Sequence, residues 1–318
     1  MKGLEVTEDI EWLGNVFPTL GKSEKIQRLY KLADQRALKK TDHSQLRHGL
    51  PVMWMGTALV DEIERYYPGT FSEVERVFAI PGTCEFHDLF KGWTVTKADG
   101  TVREIHHIKV ARELDQMLAK MGVPRLYRRI VTYPVRYHRT SGILKDGGLE
   151  MPEGLSADER AVWEMRLRTL AVLVLADKCV GDRDRVRENR AAWIEFLRSV
   201  GLAKFYFDFV ADQDSKNNFA TYSIQKAKLC VDPTDRSENP RGAIVLRIDL
   251  DEKVCSLEQI LKVEWFSEAF HCCGKAAQYL GFSFRIVTRS VNGSCSEEFW
   301  SWSKELKRWT RREPANRK

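Results

Sequence analysis

The segment LRTLAVLVLADK (167–178) is apolar on nearly every side and ends in a carboxylate, Asp177. A helix with no polar face cannot lie on a surface and must be enclosed by other elements. Its start is marked by Ser156-x-x-Glu159, the pattern of a capping box, after the Gly/Pro-rich loop KDGGLEMPEG (145–154). One long central helix from about 156 to 177 therefore organises whatever this chain folds into. It also delivers a carboxylate to the interior, where an unpaired charge is costly. The cation that answers it is either Lys178 or Arg183 in a salt bridge at the helix end, or a metal ion.

The rest of the first 200 residues also reads as helical. SEKIQRLYKLADQRAL (23–38) spaces Ile26, Leu29, Tyr30, Leu32 and Ala33 at helical intervals behind Ser23 as N-cap. Further helices are predicted over 51–66, 73–80, 105–121 and 125–137. WTVTKADGTVREI (93–105) alternates around Asp99-Gly100, the signal of a small β-hairpin inserted between helices. After about residue 200 the texture changes. QDSKNN (213–218) and DPTDRSENPRG (232–242) read as turns, AIVLRIDL (243–250) and FSFRIVTRS (282–290) as strands, and 256–280 and 296–309 as helices. The expected fold is mainly α: a helical domain, residues 1–200, followed by a smaller α+β domain, residues 201–318. The aromatics between Trp265 and Trp309 are expected mostly as core, with a base-stacking platform as the other reading.

Six of the seven histidines (43, 48, 87, 106, 107 and 138) fall within one stretch of the helical part. Imidazole is the commonest protein ligand for transition metals, so this concentration favours a shared site. In order the candidates are His48 in LRHGLPV, the doublet His87-Asp88 in CEFHDLFKGW, His106 in EIHHIKVA, His138 in VRYHRTSG, and Asp177 in VLADK. His43 competes with His48 and His107 with His106. Lys/Arg residues outnumber acidic ones nine to three between Arg103 and Arg139, which suits an anionic substrate. Seven to two from Lys304 to Lys318 reads as a solvated basic end.

The order H…HD…H…H…D resembles the HD superfamily of metal-dependent phosphohydrolases. HDLFKG resembles its HD-x-x-K segment, RHGLPV its first-histidine helix and LADK its closing aspartate. VRYHRTSG with ADKCVGDR looks most like the branch that hydrolyses dinucleoside tetraphosphates. The resemblance covers residues 40–190 and implies an HD-type helical fold. It implies that His48, His87, Asp88 and Asp177 hold one metal and that Asp88, His106 and His138 hold a second. The implied ions are two divalent cations, Mn or Fe, with Mg, Ni or Co as alternatives. The implied activity is hydrolysis of a nucleotide-type phosphoester or phosphoanhydride through a metal-activated hydroxide, with Asp88, Lys91, Arg139 and Arg183 in catalytic or phosphate-contacting roles. Two other readings remain: an HD-type di-iron oxygenase, and a non-catalytic basic module that binds nucleic acid or another partner. Single-stranded nucleic acid is a further candidate substrate.

No apolar run reaches the length of a membrane span, and MKGLEVTEDIEW lacks the apolar core of a signal peptide. Seven cysteines without a C-x-x-C pair indicate neither a zinc ribbon nor a disulfide framework. A reducing cytoplasm is the expected location, with no membrane partner; the sequence sets no oligomeric state.

Overall fold

The structure, a computed structural model, describes residues 7–37, 45–96, 98–181, 183–291, 297–303, 305–306 and 308–312. The chain divides into two compact units, residues 1–177 and 178–318. The division falls some way before the expected 200/201 position.

The first unit is helical. Its helices are α1 (Thr7–Gly21), α2 (Glu24–Ala37), α3 (Gln45–Tyr66), α4 (Ile80–Phe86), α5 (His106–Lys120), α6 (Arg125–Tyr137), α7 (Thr140–Leu144) and α8 (Ala157–Cys179). Two short strands, β1 (Thr94–Thr96) and β2 (Val102–Glu104), pair antiparallel between α4 and α5. Helix α8 starts as its sequence dictates. Ser156 Oγ accepts from the Glu159 N–H, and the Glu159 carboxylate accepts from the Ser156 N–H in return. From Leu170 to Ala176 every α8 residue is fully buried, so this helix is enclosed on all sides.

Two close approaches set α3 against its neighbours. A Cβ at Gly49 would overlap the Glu85 carbonyl oxygen of α4, and one at Gly56 would stand 2.9 Å from Cys84 Sγ and 3.4 Å from Val172 of α8. Glycine at both positions lets α3 sit directly on α4 and α8. Between α3 and α4 lies a π-helical turn, Glu75–Ala79. Its fully buried Glu75 receives two parallel hydrogen bonds from Arg168 of α8, both 2.8 Å. The Ser72 N–H also donates to Glu75. Such forked pairing answers a carboxylate that burial would otherwise make costly. It also fixes the entry into α4.

The second unit holds α9 (Glu188–Ser199), α10 (Ala203–Phe209), α11 (Gln213–Ser223), α12 (Leu257–Lys262) and α13 (Glu264–Tyr279). Its strands are β3 (Ile224–Asp232), β4 (Ala243–Leu250), β5 (Ser283–Ser290), β6 (Glu297–Ser303) and β7 (Arg308–Arg312). They form one sheet in the order β3-β4-β5-β6-β7. The β4–β5 pair is parallel, joined through α12 and α13, and the other pairs are antiparallel. Strands β4 and β5 are buried along most of their length, as central strands with an apolar run should be.

Three expectations are corrected here. The described part of 296–309 is not a helix: it lies in β6, a turn at 305–306 and β7, and Trp302 opposes Trp309 across the strands with ring centroids 5.8 Å apart. Cross-strand aromatic pairing outweighs the helical spacing that the sequence suggests there. QDSKNN is no turn but the start of α11, because Asp212 caps its N-terminus by accepting from the Ser215 N–H at 2.8 Å. Strand β3 was not foreseen. Most C-terminal aromatics are core, among them Phe266, Phe270, Phe282, Phe284, Trp300 and Trp309; Trp265 is exposed.

The α3–α4 contact makes a test of how the fold carries the site. Gly49→Ala should destabilise the protein by about 2–3 kcal/mol, the ordinary cost of forcing atoms into a packed interior. Because Gly49 adjoins His48, metal uptake by the folded fraction should fall as well. Denaturant unfolding and metal titration of the variant measure the two effects.

Candidate metal centre

Five helices bring one side chain or a pair to a common point. Helix α3 supplies His48. The turn after α4 supplies His87 and Asp88, and α5 supplies His106 at its first residue. The residue capping α6 is His138, and α8 carries Asp177 two residues before its end. All six are buried. These are the six ligand candidates of the sequence, and the fold gathers them all. His43 lies outside the described residues. His106 is the histidine that faces Asp88, while His107 stands ring to ring with it at 5.5 Å.

Asp88 is the hub, and its two oxygens look in different directions. Oδ1 lies 3.0 Å from His106 Nε2 and 3.6 Å from His138 Nε2. Oδ2 lies 3.6 Å from His87 Nε2, 3.8 Å from His48 Nε2 and 2.7 Å from Lys91 Nζ. Asp177 Oδ1 lies 3.0 Å from His48 Nε2 and 3.3 Å from His87 Nε2. Two triads, His48–His87–Asp177 and His87–Asp88–His138, each hold their ligand atoms within 4.8 Å of one another.

Helix ends determine which nitrogen each ring presents. The last carbonyls of a helix have no intrahelical N–H to receive. His87 follows α4 and donates its Nδ1–H to the Cys84 carbonyl, 2.9 Å away. His138 follows α6 and donates its Nδ1–H to the Val135 carbonyl at 2.7 Å. The same three-residue step back works at both places, and it turns both Nε2 atoms inward. His106 begins a helix and has no such carbonyl; Glu104 Oε1 takes its place, 2.8 Å from Nδ1. A carboxylate, or a carbonyl, on the far nitrogen is the usual support of a metal-binding histidine, fixing its tautomer and orientation.

The electrostatics fit a cation. Burial works to raise the Asp88 carboxyl, but Lys91, then His87 and His106, outweigh it and hold Asp88 well below the usual carboxylate range. Burial depresses His87, yet the neighbouring Asp88 and Asp177 reverse the shift and raise it. Burial, reinforced by His87, lowers His138 to about 4, so its imidazole is neutral and ready to ligate at neutral pH. His87 Nε2, His106 Nε2 and Asp88 Oδ1 are buried without a hydrogen-bond partner, although His106 and Asp88 stand at ion-pair distance. Their atoms face one another without hydrogen-bond alignment, as ligands aimed at a common centre do.

Of the other residues singled out by sequence, Lys91 reaches the site through Asp88. Arg139 lies beside it, half exposed, donating to the Glu104 carbonyl oxygen at 3.1 Å. Arg183 belongs to the second unit and there donates to Gln225 Oε1 and the Tyr222 hydroxyl. Glu104 was missed. It supports His106 and accepts from the Gly92 N–H, and although burial opposes its charge, the His106 hydrogen bond holds its carboxyl down to about 2. The Glu-x-His spacing at the start of α5 was its only signal.

Comparison with protein-family models, with curated proteins and with solved structures found no match. The site itself therefore carries the functional argument: a helical unit encloses a buried His/Asp cluster that can hold a metal ion. Among the described residues, no helix is long and apolar enough to cross a membrane.

Chelator-treated protein should unfold at a lower temperature than protein with excess Mn²⁺. An ion that binds only the folded chain stabilises it by about 2.7 kcal/mol at a concentration a hundredfold above its Kd. Asp88→Ala should fold and lose that response. A full response in the variant, read by thermal denaturation, would place the metal elsewhere.

Proposed function

We propose that the chain is an HD-type metal-dependent phosphohydrolase or phosphodiesterase acting on a nucleotide-type phosphoester or phosphoanhydride. The observation that carries the reading is the two-sided Asp88 carboxylate, with His106 and His138 on one oxygen and His48, His87 and Lys91 on the other. His48, His87, Asp88 and Asp177 would hold one divalent ion, and Asp88, His106 and His138 a second. When bound, such ions act as Lewis acids, lowering the pKa of a water and offsetting charge on phosphoryl oxygens.

The chain's own residues supply the rest. Lys91 uses one N–H on Asp88 Oδ2 and keeps two for a phosphate oxygen, at a side chain about one-fifth exposed. It is placed to bind the substrate and hold its charge next to the ligands. Arg139 commits Nη1 to the Glu104 carbonyl and holds Nη2 3.9 Å from the Glu104 carboxylate, and its exposed edge would meet a second phosphoryl oxygen. The Glu104 carboxylate holds His106 through Nδ1, which turns Nε2 towards Asp88. The burial of all six ligand side chains keeps bulk water out and strengthens each of these interactions.

A cationic rim suits phosphoryl transfer more than dioxygen chemistry, because charge develops on the phosphoryl oxygens. Mn²⁺-loaded protein is expected to cleave members of a panel of dinucleoside polyphosphates, cyclic nucleotides, nucleoside triphosphates and short single strands, with equal rates in air and under argon. Lys91→Ala should lower kcat/KM by about 10²-fold, the scale of one lost charge-stabilising donor, while metal content is retained. Turnover confined to the iron form in air, with oxygen consumed, would overturn the reading in favour of an oxygenase.

A further inference from the structure

In the first unit, away from the metal ligands, Arg166 is a buried cation without an acidic partner among the described residues. The Arg166 side chain on α8 is only 9% exposed, and its Nε is buried without a hydrogen-bond partner. Among the described residues it makes neither a hydrogen bond nor an ion pair. An arginine cannot shed its charge to escape this, so a mostly buried guanidinium whose Nε has no partner calls for a counter-charge. The contrast with Arg168, two residues on, is sharp, since that side chain is doubly bonded to Glu75.

The surroundings of Arg166 are cationic and aromatic. Its guanidinium lies over the Trp163 ring, 4.6 Å from the centroid. Trp163 meets Tyr133 of α6 edge to face at 4.8 Å, and the Tyr133 hydroxyl is held by the Gly148 carbonyl. Burial, and then the like charge of Arg129 on α6, both work against the Arg166 proton. Arg129 is itself exposed and makes no ion pair with an acidic residue among those described. Two guanidinium groups on neighbouring helices, with an aromatic wall and no acidic partner among the described residues, match a dianion. A carboxylate ligand would leave one positive charge uncompensated.

We propose that Arg166, Arg129 and the Trp163 face form a binding site for a phosphate group, separate from the metal centre. Arg166 precedes Asp177 by eleven residues of one helix, and Arg129 precedes His138 by nine along α6. At helical rise these separations are about 17 and 14 Å. The site cannot contact a phosphorus held at the metal ligands. Its occupant is either a distal phosphate of an extended substrate or the phosphate of a second molecule. The binding itself does not depend on the phosphohydrolase reading.

The test is thermal denaturation and calorimetric titration of the full-length protein with inorganic phosphate, against chloride at matched ionic strength. Wild-type protein should gain stability with phosphate and bind it at this site. Arg166→Gln should lose that gain, with at least tenfold weaker binding, and should be more stable than wild type in phosphate-free buffer. Arg129→Gln, at an exposed position that folding does not need, should weaken phosphate several-fold. The gain should persist in Asp88→Ala, which separates this site from the metal centre. Phosphate binding unchanged in both arginine variants, or equal effects of phosphate and chloride, would overturn the proposal. The source of the phosphate is read from 5′-phosphorylated oligothymidylates of three to five nucleotides. Selective loss of their affinity in Arg166→Gln, with a mononucleotide unaffected, assigns a distal substrate phosphate; equal loss of both assigns a second molecule.

Discussion

The interior of the helical unit contains two carboxylates, Asp88 and Asp177, whose oxygens lie among four imidazoles. Charge of this kind is withdrawn from water at high cost and persists only where a cation compensates it. Among the chain's own groups, Lys91 donates to Asp88 Oδ2, and the two carboxylates raise His87 above its ordinary value. The packing around the cluster can be read as the means of holding that charge in place.

Those means are ordinary. Gly49 and Gly56 allow α3 to approach α4 and α8 closely enough for His48 to meet Asp177. The forked Glu75–Arg168 pair ties the π-helical turn to α8, and so fixes where α4 ends and the His87-Asp88 doublet begins. π-helical turns frequently accompany functional sites, and here the turn leads directly into the helix that delivers two ligands. Unsatisfied carbonyls at the ends of α4 and α6 then set the tautomers of His87 and His138. Each ligand's orientation is thus inherited from a helix terminus or a neighbouring side chain, without any need for the ion to impose it.

Sequence pattern was a good guide where one residue type has one physical use. The all-apolar helix ending in Asp177, its capping box and the clustered histidines each pointed to the interior of one helical unit. Pattern served less well where tertiary contacts decide. The buried Glu75 of the π-helical turn finds its partner in Arg168, ninety-three residues away. Glu104 was invisible as a supporting residue because its partner, His106, is identified only by which of two adjacent imidazoles turns inward. The strands β6 and β7 looked helical because Phe299, Trp300, Trp302 and Trp309 have spacings that both periods tolerate, and only their pairing across the sheet selects the extended form. Arg183 followed a ligand in sequence but folds into the other unit.

Metal analysis of the full-length protein, purified without chelator and without a metal-binding tag, tests the central claim most directly. The buried His/Asp cluster predicts at least one tightly held divalent transition metal per chain, retained through gel filtration and released with unfolding. A folded, monodisperse protein that carries no metal, and takes up none when dialysed against Mn²⁺ or Fe²⁺, would contradict it.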